Sequence, residues 1–148
     1  MTETYIIAEA CLEHLGRIKA AALLIAAAKA AGANCVKFQL YSEDTAKKVD
    51  NGCGPLTKYR LDRTQLQFLR NESKGIDFLL SAFDMDSLKA CKNMGLKAVK
   101  IPSVCNENQE MLEYAKKHFP TYYVSSGIYA EERPKGHFWW LLCTSIYP

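Results

Sequence analysis

The sequence has no long hydrophobic run and no segment that resembles a secretory signal. Its most apolar stretch, Ala20–Ala28, is bracketed by Lys19 and Lys29 and falls well short of the roughly 20 residues that a membrane span needs. The first four residues contain no basic segment, and an apolar stretch follows them directly. We therefore expect a cytoplasmic protein without a membrane partner.

Paired cysteines, strong net charge and nucleotide-binding motifs are also missing. The six cysteines form no CxxC pair, which favours reduced thiols over a disulfide framework or a zinc site. Lysine and arginine number 19 against 16 acidic residues, and this net charge of +3 is too slight to indicate a nucleic-acid partner. The chain has no P-loop, nucleophile elbow or dinucleotide fingerprint. With 148 residues, 49% of them hydrophobic, it is long enough for one soluble domain with a real core.

What the sequence does contain is six apolar stretches, each followed by small polar or charged residues. The stretches are predicted strands that begin near Tyr5, Asn34, Asp77, Ala98, Pro120 and Trp140. Helices are predicted between them over Arg17–Ala31, from Asp62 or Thr64 to Lys74, and over Asp84–Met94 and Asn108–His118. This alternation predicts an α/β fold, a TIM-type (β/α) barrel, in which the carboxyl ends of the parallel strands form the active rim.

Two connections depart from the regular alternation. The polar segment Ser42–Arg60 is long enough to be a functional lid, and only about a dozen residues separate Gly127 from Trp139, too few for a crossover helix. Six strands do not close an eight-stranded barrel. We expect a single, partial barrel domain over residues 1–148, which is either a fragment or a copy that has lost sequence. The open edges of its first and last strands would favour homo-oligomers.

Two lysines, Lys37 and Lys100, lie inside predicted buried strands. A buried cation costs several kcal/mol unless an anion accompanies it. Each lysine could instead reach the rim or pair with Glu9. With serines at three neighbouring strand ends, a bound phosphate or carboxylate becomes the better interpretation.

Three other residues have both a functional and a structural interpretation. Glu9 could bind a polyol, act as an acid or base, or neutralise one of the lysines. His14 is on the active rim if the barrel interpretation holds, although a lone loop histidine is more often structural. Tyr147 could reach the rim through its hydroxyl or pack in the core.

These residues stand in motifs that resemble the N-acetylneuraminate (sialic acid) synthase family. The opening YIIAEACLEHLG is similar to that family's YIIAEIGxNHxG, and AGANCVKFQ to its AGADxVKFQ. Further similar segments, in the same order, are Leu56–Tyr59, Phe78–Asp84, Val99–Ser103, Val124–Gly127 and Leu141–Pro148. The match is nearly colinear from Thr4 to Gly127 and resumes at Leu141.

The resemblance implies a barrel that condenses phosphoenolpyruvate with an N-acetylated sugar aldehyde to make a sialic acid-type nonulosonate, releasing phosphate. It implies catalytic roles for Glu9, Lys37 and Lys100, with Glu9 and Gln39 toward the sugar and the reacting carbon. The positions that it places around phosphoenolpyruvate are Lys37, Ser81, Lys100, Ser103, Ser125, Ser145 and Tyr147.

A divalent metal, manganese or magnesium, is expected for the family and would polarise the aldehyde. Its ligands in that family are histidines of strands seven and eight. We expect these strands, and the small C-terminal domain, to be absent from this chain. Cys11, Glu13, Ala82, Val104 and Cys105 also depart from the family pattern.

Two alternatives to a synthase stay open. One is a non-catalytic remnant that binds an anion or a partner chain. The other is a Schiff-base aldolase that uses Lys37 or Lys100 as its nucleophile.

Overall fold

The computed structural model describes residues 4–48, 56–127 and 138–143. Six strands lie in one sheet in chain order: β1 (Ile7–Cys11), β2 (Cys35–Leu40), β3 (Asp77–Ala82), β4 (Ala98–Ile101), β5 (Thr121–Ser125) and β6 (Trp139–Leu141). The helices are α1 (Ile18–Ala30), α2 (Glu43–Lys48), α3 (Arg63–Glu72), α4 (Met85–Asn93) and α5 (Gln109–His118). Strands pair in parallel from β1 to β2 and from β3 through β6, as the predicted α/β class requires.

The chain divides into two compact units, Met1–Leu79 and Leu80–Pro148. The expected single domain over residues 1–148 stays a prediction, and the two units are described separately below. No helix among the described residues is long and apolar enough to cross a membrane.

In the first unit, β2 forms the centre of the core. Val36 and Phe38 are fully buried, and Phe38 packs against Phe78 with ring centroids 5.6 Å apart. Helix α1 buries its Ala21, Ile25 and Ala28 face. Burial of such apolar surface is worth about 25 cal/mol per Å². Packing of this face therefore stabilises the helix within its unit, in addition to the helix propensity of its residues.

Asp62, one of the two caps that the sequence allowed, is the N-cap of helix α3. The Asp62 carboxylate accepts a hydrogen bond from the Gln65 backbone N–H at 2.8 Å, and the Gln65 side chain accepts one from the Asp62 N–H at 2.9 Å. This reciprocal pair satisfies two backbone donors that the start of a helix otherwise leaves without partners.

The connection before α3 is more ordered than the sequence suggested. Within Ser42–Arg60, the described residues form α2 and a 3-10 helix over Leu56–Tyr59. Residues 49–55 lie outside the described residues, so the predicted lid stays a prediction. The short connection before β6 likewise falls mostly outside them, at residues 128–137.

In the second unit, helix α5 packs beside β4 and β5 and contacts helix α4. Asp84 caps α4 by accepting from the Ser87 N–H at 2.8 Å, and Asn108 caps α5 by accepting from the Met111 N–H at 3.1 Å. Strand β4 ends at Ile101, two residues before Ser103. Pro102 has no backbone N–H to offer the ladder, and a 3-10 turn over Ser103–Cys105 follows it.

Candidate functional site

Glu9 and Lys37 form an ion pair in the first unit. They occupy paired positions on β1 and β2, and the Lys37 ammonium lies 2.6 Å from Oε2 of Glu9. The two side chains differ in environment, because Lys37 is only 4% exposed whereas the Glu9 side chain is 54% exposed. Glu9 was predicted to close the first strand, but β1 continues to Cys11, and Glu9 lies opposite Lys37 within the paired part of the strand.

A β-bulge adds a thiol to this ion pair. After Glu9 pairs with Lys37, the next paired position on β1 is Cys11, so Ala10 is the extra residue, and Cys11 has a positive φ of 38°. The bulge brings the Cys11 thiol to 3.3 Å from the same Glu9 oxygen that Lys37 contacts, and the thiol donates to it.

Gln39 belongs to the same cluster. Side chains alternate along β2, so Gln39 shares a face with Lys37. Burial raises the pKa of the Cys11 thiol above its usual value, while the Lys37 charge and a hydrogen bond with the Gln39 side chain act in the opposite direction. The structure therefore brings together Glu9, Lys37 and Gln39, which the sequence singled out, and Cys11, which it did not assign to the site.

His14 has the structural role that its position in a loop suggested. The residue is 1% exposed, its Nδ1 accepts the Gly16 backbone N–H at 3.0 Å, and its ring lies 5.9 Å from that of Phe38. Phe38 projects from the face of β2 opposite to Lys37. Burial lowers the pKa of His14, and a backbone hydrogen bond with Cys11 acts the other way.

In the second unit, hydroxyl and ammonium groups share one face of the sheet. Ser81 of β3 pairs with Lys100 of β4, which in turn pairs with Tyr123 of β5. Ser125 is two residues beyond Tyr123 and so projects from the same face. Ser81 and Ser125 are buried and Lys100 is half-buried, all near the carboxyl ends of their strands.

The turn after β4 borders this group. Ser103, half-buried, begins the 3-10 turn, and the thiol of Cys105 at its end donates to the Phe83 carbonyl at 3.3 Å. Burial raises the pKa of Cys105 to about 11; the charge of Asp84 adds to this effect and that of Lys100 opposes it.

One residue of this turn was not singled out from the sequence. Asn106 is 1% exposed, and its amide nitrogen donates to the backbone carbonyls of Ser125, at 3.1 Å, and Ser126. No local sequence pattern predicts such a contact, because it joins a turn after β4 to the end of β5.

Several predicted site features stay untested. Ser145 and Tyr147 lie outside the described residues. Within the described parts of the chain, no three His, Cys, Asp or Glu side chains come close enough together to hold a metal ion. The donor sets present there do not fit the expected metal.

A family model and two curated relatives match this chain and relate it to the same group of synthases. The NeuB family model matches residues 24–148. The N,N'-diacetyllegionaminic acid synthase of Legionella pneumophila is 34% identical, over 84% of this chain and 40% of that protein. The enzyme of the same name from Campylobacter jejuni is 32% identical, over 70% of this chain and 36% of its own.

A solved structure agrees with these relatives. The N-acetylneuraminic acid (sialic acid) synthetase of Leptospira borgpetersenii, crystallised in complex with citrate, superimposes with a TM-score of 0.80 at 29% identity. The match covers 88% of this chain and 47% of that one. The chain thus spans less than half the length of these three relatives. The structural similarity confirms the predicted (β/α) barrel class.

Proposed function

Because the chain belongs to the NeuB family, as its motifs predicted, we propose that it binds phosphoenolpyruvate for condensation with an N-acetylated sugar aldehyde. The reaction joins C3 of phosphoenolpyruvate to the aldehyde carbon, consumes one water and releases phosphate. The product is a sialic acid-type nonulosonate, the class that includes the legionaminic acid in the names of its relatives.

The observation that carries this proposal is the common face of Ser81, Lys100 and Ser125. One ammonium and two hydroxyls at adjacent strand ends can together satisfy several oxygens of a phosphate or carboxylate. An ammonium placed there also stabilises the charge that builds on a departing phosphate. Ser103, Ser145 and Tyr147 are proposed to complete the set of phosphoenolpyruvate contacts.

The first-unit cluster is proposed to serve the sugar and the reacting carbon. The half-exposed Glu9 carboxylate can accept hydrogen bonds from hydroxyls of an open-chain sugar, and Gln39 can both donate and accept. Lys37 holds the Glu9 carboxylate from a buried position, so the carboxylate is oriented before a substrate arrives.

Calorimetric titration of phosphoenolpyruvate into the purified chain tests the proposal. Lys100→Met should weaken binding by about tenfold or more, since one charge-assisted contact is worth at least about 1.4 kcal/mol. Lys97→Met is the matched control: Lys97 is an exposed lysine just before the same strand, and its replacement should leave the affinity unchanged. Equal affinities for the native chain and both variants would contradict the proposed anion site.

A turnover assay with phosphoenolpyruvate, N-acetylmannosamine and manganese addresses the chemistry. Phosphate release and a nonulosonate product would support the synthase. Binding without turnover would favour the anion-binding remnant, and borohydride labelling of Lys37 or Lys100 would favour the Schiff-base aldolase. The cytoplasmic location and the homo-oligomer stay predictions, and a sizing column tests the latter.

A further inference from the structure

Asn106 contacts two consecutive backbone carbonyls. Its amide nitrogen has two hydrogens, and the carbonyls of Ser125 and Ser126 both lie within hydrogen-bonding distance of it. Successive carbonyls of an extended strand point in opposite directions. Two consecutive carbonyls that converge on one nitrogen therefore mark the point where β5 stops and the chain turns.

Other hydrogen bonds fix the same corner of the second unit. The Ser126 N–H donates to the Leu141 carbonyl of β6 at 2.9 Å, and the Ser126 hydroxyl accepts the Cys143 N–H at 3.1 Å. The corner is thus held from one side by β6 and the residues after it, and from the other side by Asn106. All three residues of the contact are buried, so water does not compete for these hydrogen bonds.

The orientation of the Asn106 amide indicates that its N–H donors, and not its oxygen, stabilise this part of the fold. The side-chain Oδ1 is buried and has no hydrogen-bond partner among the described residues. A buried acceptor without a partner is unfavourable and rare in native proteins, so a residue that only filled this space would be better replaced by an apolar one. The asparagine is explained by the two carbonyls that its nitrogen binds.

We propose that Asn106 is a positioning residue that clamps the Ser125–Ser126 corner and so holds the Ser125 hydroxyl in place for the anionic substrate. The part of this inference that concerns the anionic substrate rests on the proposed function. The part that concerns the hydrogen bonds of Asn106 to the corner does not. Asn106 acts only through Ser125 and does not itself contact the substrate.

Three variants separate this role from simple packing. Asn106→Leu keeps the approximate volume and removes both donors, and Asn106→Asp keeps the shape but turns acceptor oxygens toward the two carbonyls. Asn108→Ala is the matched control, because it removes the cap of α5 from the same turn without touching Ser125 or Ser126.

Hydrogen exchange measures the clamp without any ligand. In Asn106→Leu and Asn106→Asp, the amides of Ser126 and Cys143 should exchange about tenfold faster or more, because their hydrogen bonds depend on the corner. In Asn108→Ala these two amides should lose no more protection than the other amides of the second unit, because only the lower overall stability of that variant acts on them. Native protection at both amides in Asn106→Leu would overturn the clamp.

Binding of phosphoenolpyruvate, measured by calorimetry, tests what the clamp is for. Asn106→Leu should lose about as much affinity as Ser125→Ala, and the double variant should lose little more than either, since residues that act as one unit are not additive. Full additivity, or native affinity in Asn106→Leu, would overturn the positioning role. If the native chain does not bind phosphoenolpyruvate, the proposed function fails and takes the ligand part of the inference with it, while the exchange result still decides the clamp.

Discussion

Glu9 and Lys37 form an ion pair whose two partners differ sharply in solvent exposure, the lysine being 4% and the glutamate side chain 54% exposed. When one residue of an ion pair is replaced, the loss of folding free energy depends on how well the remaining charged group is solvated. A buried ammonium that loses its carboxylate keeps its desolvation penalty, whereas a half-exposed carboxylate that loses its ammonium is solvated by water.

We therefore predict unequal effects of the two neutral replacements on the free energy of unfolding. Glu9→Gln should destabilise the chain by about 2 kcal/mol, because it leaves the Lys37 ammonium buried beside a neutral amide. Lys37→Met should cost less than half of that, since the side chains have similar volume and Glu9 remains hydrated. Urea unfolding of both variants measures the difference.

The exposed ion pair of α2 provides a control. Glu43 and Lys47 are 2.7 Å apart and both more than half exposed, so Glu43→Gln should give no measurable change in the same experiment. A larger loss for Lys37→Met than for Glu9→Gln would show that burial of the ammonium does not govern this pair.

Much of this first cluster could be predicted from the sequence. Strand alternation alone places Lys37 and Gln39 on one face of β2, and pairing of Lys37 with Glu9 was one of the two structural alternatives. The bulge at Ala10 could not be predicted, because a positive φ at a cysteine runs against local preference and is imposed by the pairing of β1 with β2.

The second cluster shows a different limit of sequence reasoning. The residues Ser81, Lys100 and Ser125 were found because each stands near the end of an apolar strand. Asn106 was not found, because its role depends on a contact with residues 19 and 20 positions further along the chain. Local periodicity carries no information about such pairs.

A second prediction concerns the pH dependence of stability through His14. Burial lowers its pKa in the folded chain, so the unfolded chain, with an ordinary value near 6.5, binds the proton more readily. The stability that neutral His14 provides is therefore fully present above about pH 6.5 and is lost as the pH falls through the lower folded pKa. Protonation of Nδ1 would also break its hydrogen bond from the Gly16 N–H.

The measurement is the free energy of unfolding between pH 7.5 and pH 5.5. The native chain should lose stability as the pH falls, while His14→Asn, whose carboxamide oxygen can replace Nδ1 as acceptor, should show a flatter profile. A native slope in His14→Asn would mean that other groups cause the acid dependence.

The third prediction uses two glycines of the first unit that share a backbone conformation. Gly16 has φ +72° and Gly32 has φ +78°, so alanine at either position is strained by about 1 kcal/mol. They differ in space: a Cβ at Gly32 meets nothing within 4 Å, whereas a Cβ at Gly16 would collide with the backbone carbonyl of Lys58. Backbone atoms cannot move aside as the end of a flexible side chain can.

Gly16→Ala should accordingly destabilise the chain by about 2 kcal/mol more than Gly32→Ala, because it adds a steric clash to the same strain. The clash should also push the 3-10 helix Leu56–Tyr59 away from the loop after β1. Trypsin cleavage after Lys58 reports this displacement and should be faster in Gly16→Ala than in Gly32→Ala or the native chain. Equal unfolding free energies and equal cleavage rates in the two variants would show that the loop and the 3-10 helix are not in close backbone contact.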